Sequence, residues 1–120
     1  MRPVDDSNTG SRDLAGKPLE IETEREGDSI TIALSGEMDV STVQRLDLAI
    51  RRAEETKVGR IVLDLSELSF LDSTSLSVLL KAGVRDRENG NRLRFIPSNH
   101  DAVQRVISLT DTGDMFEWAG

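Results

Sequence analysis

A chain of 120 residues with 37% hydrophobic and 31% charged residues has the size and makeup of one globular domain with a well-solvated surface. Its net charge of −7 opposes non-specific attraction to nucleic acid or anionic lipid, and no apolar run approaches the roughly 20 residues that a membrane-spanning helix needs. The lack of cysteine removes disulfides, thiolate metal ligands and a cysteine nucleophile, and the single histidine, His100, cannot form a His-rich metal site.

Residues 1–17 are rich in Ser, Asp, Gly and Pro and poor in apolar side chains, so they read as a flexible N-terminal arm ahead of a domain over residues 18–120. The start MRPVDDSNTG carries acids and no apolar h-region, so no secretory signal is expected and the cytoplasm is the default location. From Leu19, LEIETE, the turn residues Glu26, Gly27 and Asp28, and the alternating SITIALSG predict a β-hairpin. Gly36 is expected to break the second strand. Ser41 or Thr42 then caps a helix whose apolar positions are Val43, Leu46, Ala49, Ile50 and Ala53, ending near Lys57.

The continuous apolar run Ile61 to Leu65 reads as a central strand buried on both faces. A second helix follows SELSFLD, with Leu76, Leu79, Leu80, Gly83 and Val84 on one side and Lys81, Arg85 and Arg87 largely on the other. Asn89, Gly90 and Asn91 stop it. RLRFIP is a short strand ended by Pro97, and Ser98 or Asn99 caps a third helix carrying Ala102, Val103, Val106 and Ile107. The tail, with Met115, Phe116 and Trp118, reads as a last helical turn or a short strand closing the core. The order β, β, α, β, α, β, α predicts an α/β domain: a mixed sheet of four to five strands with an N-terminal antiparallel hairpin and three to four helices.

The join SFLDSTSL, residues 69–76, sets Asp72, Ser73, Thr74 and Ser75 at the start of the second helix. Capping by Asp72 or Ser73 explains one polar residue, at about 1 kcal/mol. The run of hydroxyls also suits a modified side chain. A phosphate of about −1.5 to −2 charge is favoured by free N–H groups and the helix dipole, by up to ~2 kcal/mol, while it repels a docked partner.

Three segments together resemble the STAS-domain family of anti-sigma factor antagonists: LSGEMDVST (34–42), IVLDLSELSFLDSTSL (61–76) and NRLRFIPSNHDAVQRVISLTDTG (91–113). The likeness runs in order from residue 19 to the end. In that family Asp-Ser-Ser/Thr-Gly-Leu opens a helix, and its first serine is phosphorylated. By position, the resemblance implies that Ser73 is the phosphoacceptor, with Asp72 before it, Thr74 as the following hydroxyl and Leu76 as the apolar residue. Asp39 of the GEMD loop matches an acidic residue near the acceptor, so the implied partner-binding surface comprises Asp39, Asp72, Ser73, Thr74, Ser75 and Ser77; Met38, beside Asp39, joins it if exposed and is otherwise a buried gap-filler. The implied cycle is that the unphosphorylated chain binds an anti-sigma factor serine kinase and frees the sigma factor. The kinase phosphorylates Ser73 and releases the chain, and a PP2C-type phosphatase resets it. Ser75 departs from the family glycine by adding a Cβ and a hydroxyl beside the acceptor.

Other readings are weaker. A small hydrolase would need His100 as the base for Ser73, and no G-x-S-x-G elbow is present. No phosphate-binding Gly-Lys loop exists, and no cofactor or metal is implied. Arg85, Arg87, Arg92 and Arg94 are interleaved with Asp86 and Glu88 and lack an aromatic platform, which speaks against nucleic acid as partner. A STAS scaffold subunit of a stress-signalling or lipid-transport complex, without a phosphoswitch, is the principal rival. As an assembly state, a monomer or weak dimer is expected.

Overall fold

In the computed structural model, residues 17–109 and 116–118 are described. Strand β1 (Glu20–Glu26) turns at Gly27, at φ 59°, into β2 (Ser29–Met38), and the two pair antiparallel with Ile21 opposite Leu34 and Glu26 opposite Ser29. Helix α1 (Val43–Glu54) leads to β3 (Arg60–Leu71), α2 (Ser73–Glu88) to β4 (Leu93–Ile96), and α3 (Asp101–Leu109) follows. The sheet order is β1-β2-β3-β4, and both β2–β3 and β3–β4 are parallel.

Register explains the core. Ile30 and Ile32 lie beside Ile61 and Leu63, which lie beside Leu93 and Phe95, so one apolar row after another crosses the sheet on a single face. All six side chains are buried. Each crossover steps to the next strand in the same direction, and right-handed crossovers therefore put α1 and α2 on that face. They touch there: Arg85 of α2 donates to Glu54 of α1 at 2.9 Å. The opposite face carries Thr31, Ala33 and Ser35, half-buried, and the exposed Glu20, Glu22, Glu24 and Glu26. This alternation is what the hairpin pattern predicts.

Three element ends differ from the sequence reading. Gly36 does not end β2; the strand continues to Met38 through register shifts, with Gly36 at φ 86° and its Cα facing the carbonyls of Lys17 and Pro18. The Glu37 N–H donates to the Lys17 carbonyl at 2.9 Å, so the segment before β1 crosses this end of the sheet, and the rest of the expected arm lies outside the described residues. Strand β3 runs on to Leu71, well past Leu65, because bulges let Leu68 and Leu71 reach the core after strict alternation fails. Helix α1 stops at Glu54, where the Arg92 guanidinium takes the carbonyls of Glu54, Thr56 and Val58, each at 2.9 Å, and satisfies the open end of the helix.

Helix α2 also turns differently: Val84, expected on the apolar side, is exposed, and Arg85, expected outside, is half-buried on Glu54. The buried Asp86 carboxylate accepts the N–H groups of Arg92 at 3.0 Å and Leu93 at 2.8 Å, fixing the turn into β4. The tail forms a strand-like bridge, Trp118 beside Phe95, and Phe116 packs edge-on to Phe95 with ring centroids 4.7 Å apart. Met115 lies outside the described residues.

Candidate functional site

Strands β2 and β3 end side by side, Glu37 opposite Phe70 and Met38 opposite Leu71. In parallel α/β sheets the loops beyond the carboxyl ends of the strands are the usual place for a site, since they converge from separate strands over one edge. Two such loops meet here.

The first is the turn after β2. The Asp39 carbonyl accepts the N–H of Thr42 at 3.0 Å and of Val43 at 2.9 Å, which starts α1. Its carboxylate oxygen Oδ1 accepts the Ser41 hydroxyl at 2.6 Å, the Ser41 N–H at 3.0 Å and the Thr42 hydroxyl at 3.3 Å. Donation by the Ser41 hydroxyl, aided by these other bonds, holds the Asp39 carboxyl below the ordinary carboxylate value. Thr42, the residue before the helix, does not cap it by side chain; its hydroxyl instead accepts the Asp39 N–H at 3.0 Å.

The second is the start of α2. Asp72 is the cap, with extended backbone at φ −101°, and its Oδ1 accepts the Ser75 N–H at 2.9 Å and the Ser75 hydroxyl at 2.8 Å. Its Oδ2 accepts the Val40 N–H at 3.1 Å, so one carboxylate ties the two loops together. Ser73 is the first residue of α2. It is exposed, and its hydroxyl has no hydrogen-bond partner among the described residues.

The structure thus brings Asp39, Asp72, Ser73 and Thr74 to one end of the sheet, with Ser73 and Thr74 exposed, Asp39 and Asp72 half-buried, and Ser77 half-buried one turn further on. Two expected surface residues are corrected. Met38 has no exposed area, because it is inward-facing at the end of β2 and belongs to the core. Ser75 is likewise fully buried, its hydroxyl committed to Asp72, and it supports the surface from beneath. Sequence reasoning missed Val40, at 67% exposure, and Phe70, at 42%. The signal for both is an apolar residue out of step with its neighbours: Val40 precedes the helical repeat, and Phe70 falls between Leu68 and Leu71, which face inward.

His100 does not meet Ser73. It lines an open cavity of about 540 Å³ with Lys17, Ser35, Gly36, Glu67 and Ser69, to which neither Asp72 nor Ser73 contributes. Among the described residues no group of three or more His, Asp or Glu side chains is arranged to hold a metal, and no helix is long and apolar enough to cross a membrane.

The chain and its fold have relatives. The family model described as "Mlab, STAS domain" matches residues 21–117. An anti-sigma-B factor antagonist of Listeria monocytogenes is 30% identical over 95 residues, 78% of this chain and 82% of the relative. The crystal structure of an anti-sigma factor antagonist from Mycobacterium paratuberculosis superposes with a TM-score of 0.73 at 23% identity, covering 86% of this chain and 87% of that one. The Bacillus cell fate determinant SpoIIAA in its phosphorylated form gives 0.59 at 23% identity, over 84% and 92% of the two chains. The chain belongs to the STAS domain family.

Proposed function

We propose that this STAS domain is an anti-sigma factor antagonist that binds an anti-sigma factor serine kinase when Ser73 is unmodified and is released when Ser73 is phosphorylated. The observation that carries the reading is the Ser73 side chain: an exposed hydroxyl, without a hydrogen-bond partner among the described residues, on the first turn of α2 beside the loop that Asp72 fastens. The 30% identity to a protein named as an anti-sigma-B factor antagonist supports the class of partner. The docking surface comprises Asp39, Val40, Phe70, Ser73 and Thr74. Val40 and Phe70 supply apolar contact, of the kind that anchors protein interfaces when it is surrounded by polar groups. A PP2C-type phosphatase restores the hydroxyl, and the cycle is cytoplasmic.

The physics of the switch is local. The phosphate meets the free N–H groups of the first turn, so the fold tolerates it. A partner seated on the same turn meets like charge or loses close contact, and ~3 kcal/mol is already more than a hundredfold in affinity. The test is phosphopeptide mapping after incubation with ATP and a lysate of the native host, wild type beside Ser73→Ala, with the recovered kinase then titrated against Ser73→Asp. Phosphate confined to Ser73 and a loss of affinity of about a hundredfold or more in Ser73→Asp are expected. A stable complex indifferent to both substitutions would overturn the switch and make the chain a STAS scaffold subunit instead.

A further inference from the structure

Ser75, the third residue of α2, is fully buried with both its N–H and its hydroxyl on Asp72, and the hydroxyl is the part that a smaller residue would lack. A glycine here would still donate its backbone N–H to Asp72 and complete the helix cap. Serine adds a second donor to the same oxygen: the hydroxyl at 2.8 Å beside the N–H at 2.9 Å. The terminal torsion of an aspartate is broad, so one bond leaves the carboxylate room to swing, and two donors on Oδ1 fix the plane. With the plane fixed, Oδ2 stays on the Val40 N–H at 3.1 Å. Complete burial of Ser75 shields this hydroxyl from competing water.

We propose that Ser75 is a positioning residue that braces the Asp72 carboxylate on the Val40 loop against the charge that phosphorylation brings to the adjacent Ser73. That charge rests on the reading of Ser73 given above; the brace itself does not. A dianion on Ser73 repels the neighbouring carboxylate. An unbraced Asp72 turns away and drops Val40, whereas a braced one keeps the loop in place. The switch in this chain therefore acts through charge at a fixed surface, without rearrangement of the 39–42 turn.

Amide hydrogen exchange of the full chain, followed by NMR at Val40, tests this, with Leu63 in the central strand reporting global stability. Ser75→Ala, and separately Ser75→Gly, should speed exchange at Val40 relative to Leu63 by about fivefold, the worth of one hydrogen bond. Ser73→Asp alone should change the Val40 rate by less than about twofold, yet in the Ser75→Ala background it should add a further increase of about fivefold. Three results would each overturn the brace: an unchanged Val40 rate in both Ser75 variants, a Val40 rate that rises only in step with Leu63, or an equal effect of Ser73→Asp with and without the Ser75 hydroxyl. No kinase enters these measurements. Failure to find phosphate on Ser73 would thus refute the switch while the exchange data still decide the brace.

Discussion

At Asp39 three donors converge on one carboxylate oxygen, with the Ser41 hydroxyl foremost, and the charged form is favoured over its state in the unfolded chain. A depressed folded value means that the contribution to stability is present above the ordinary 3.8 and is lost as pH falls through the folded value. The carboxyl carbon of Asp39, titrated by NMR, should therefore show a midpoint below that of an unfolded control, and Ser41→Ala should move it upward. Asp72 gives a second prediction. Asp72→Ala removes a helix cap and leaves the Val40 N–H and the Ser75 hydroxyl without their acceptor, and should cost about 2 kcal/mol in urea unfolding. Asp72→Asn keeps an acceptor oxygen and should recover part of that loss. The sequence narrows the cap to Asp72 or Ser73, and the structure places it on Asp72. For Met38 the sequence leaves an exposed interface residue and a buried gap-filler open, and burial follows because β2 runs past Gly36.

That glycine shows what an element's sequence conceals. In sequence Gly36 predicts a strand break; in the fold it lets the Lys17–Pro18 segment pass, with φ at 86°, and a methyl group added at its Cα would stand only 2.9 Å from the Lys17 carbonyl oxygen. Gly36→Ala should destabilise the fold by about 2 kcal/mol or more, from the left-handed backbone and the crowding together, and thermal unfolding would register it. Arg92 is a parallel case: in sequence it is one of several arginines interleaved with acids, yet its guanidinium donates to the carbonyls at and just beyond the end of α1. Arg92→Lys retains the charge but not the planar fork, and should unfold at lower urea by about 1–2 kcal/mol. Element types and order can be read from periodicity and turn residues. The ends of β2, α1 and β3 cannot, because each is set by a partner distant in sequence: Lys17, Arg92 and the bulged register between β2 and β3. The same holds for exposure: Ser73 and Thr74 stand exposed on the first turn of α2, where the helix pattern puts them, while the exposure of Val40 and Phe70 emerges only from packing.

For the whole molecule, charge and the sheet edge act together. Strand β1 lies at the edge, with its outer side chains Glu20, Glu22, Glu24 and Glu26 all exposed, on a chain of net charge −7. Like charges along an unpaired edge discourage strand-to-strand association. Sedimentation should therefore give a monomer near pH 7 and growing association as pH falls toward the isoelectric point near 4.7. Glu22→Thr with Glu24→Thr should shift that onset to higher pH. The Val40–Asp72 bond joins residues 32 apart, across a crossover helix and two parallel strands that must first find register. Contacts of such long range pay their loop-closure entropy before they are rewarded, and they form late in folding. On the docking surface proposed above, a partner that grips both loops at once would recognise only chains whose central sheet is complete, and a nascent or partly unfolded copy, although it carries Ser73, would be silent to it.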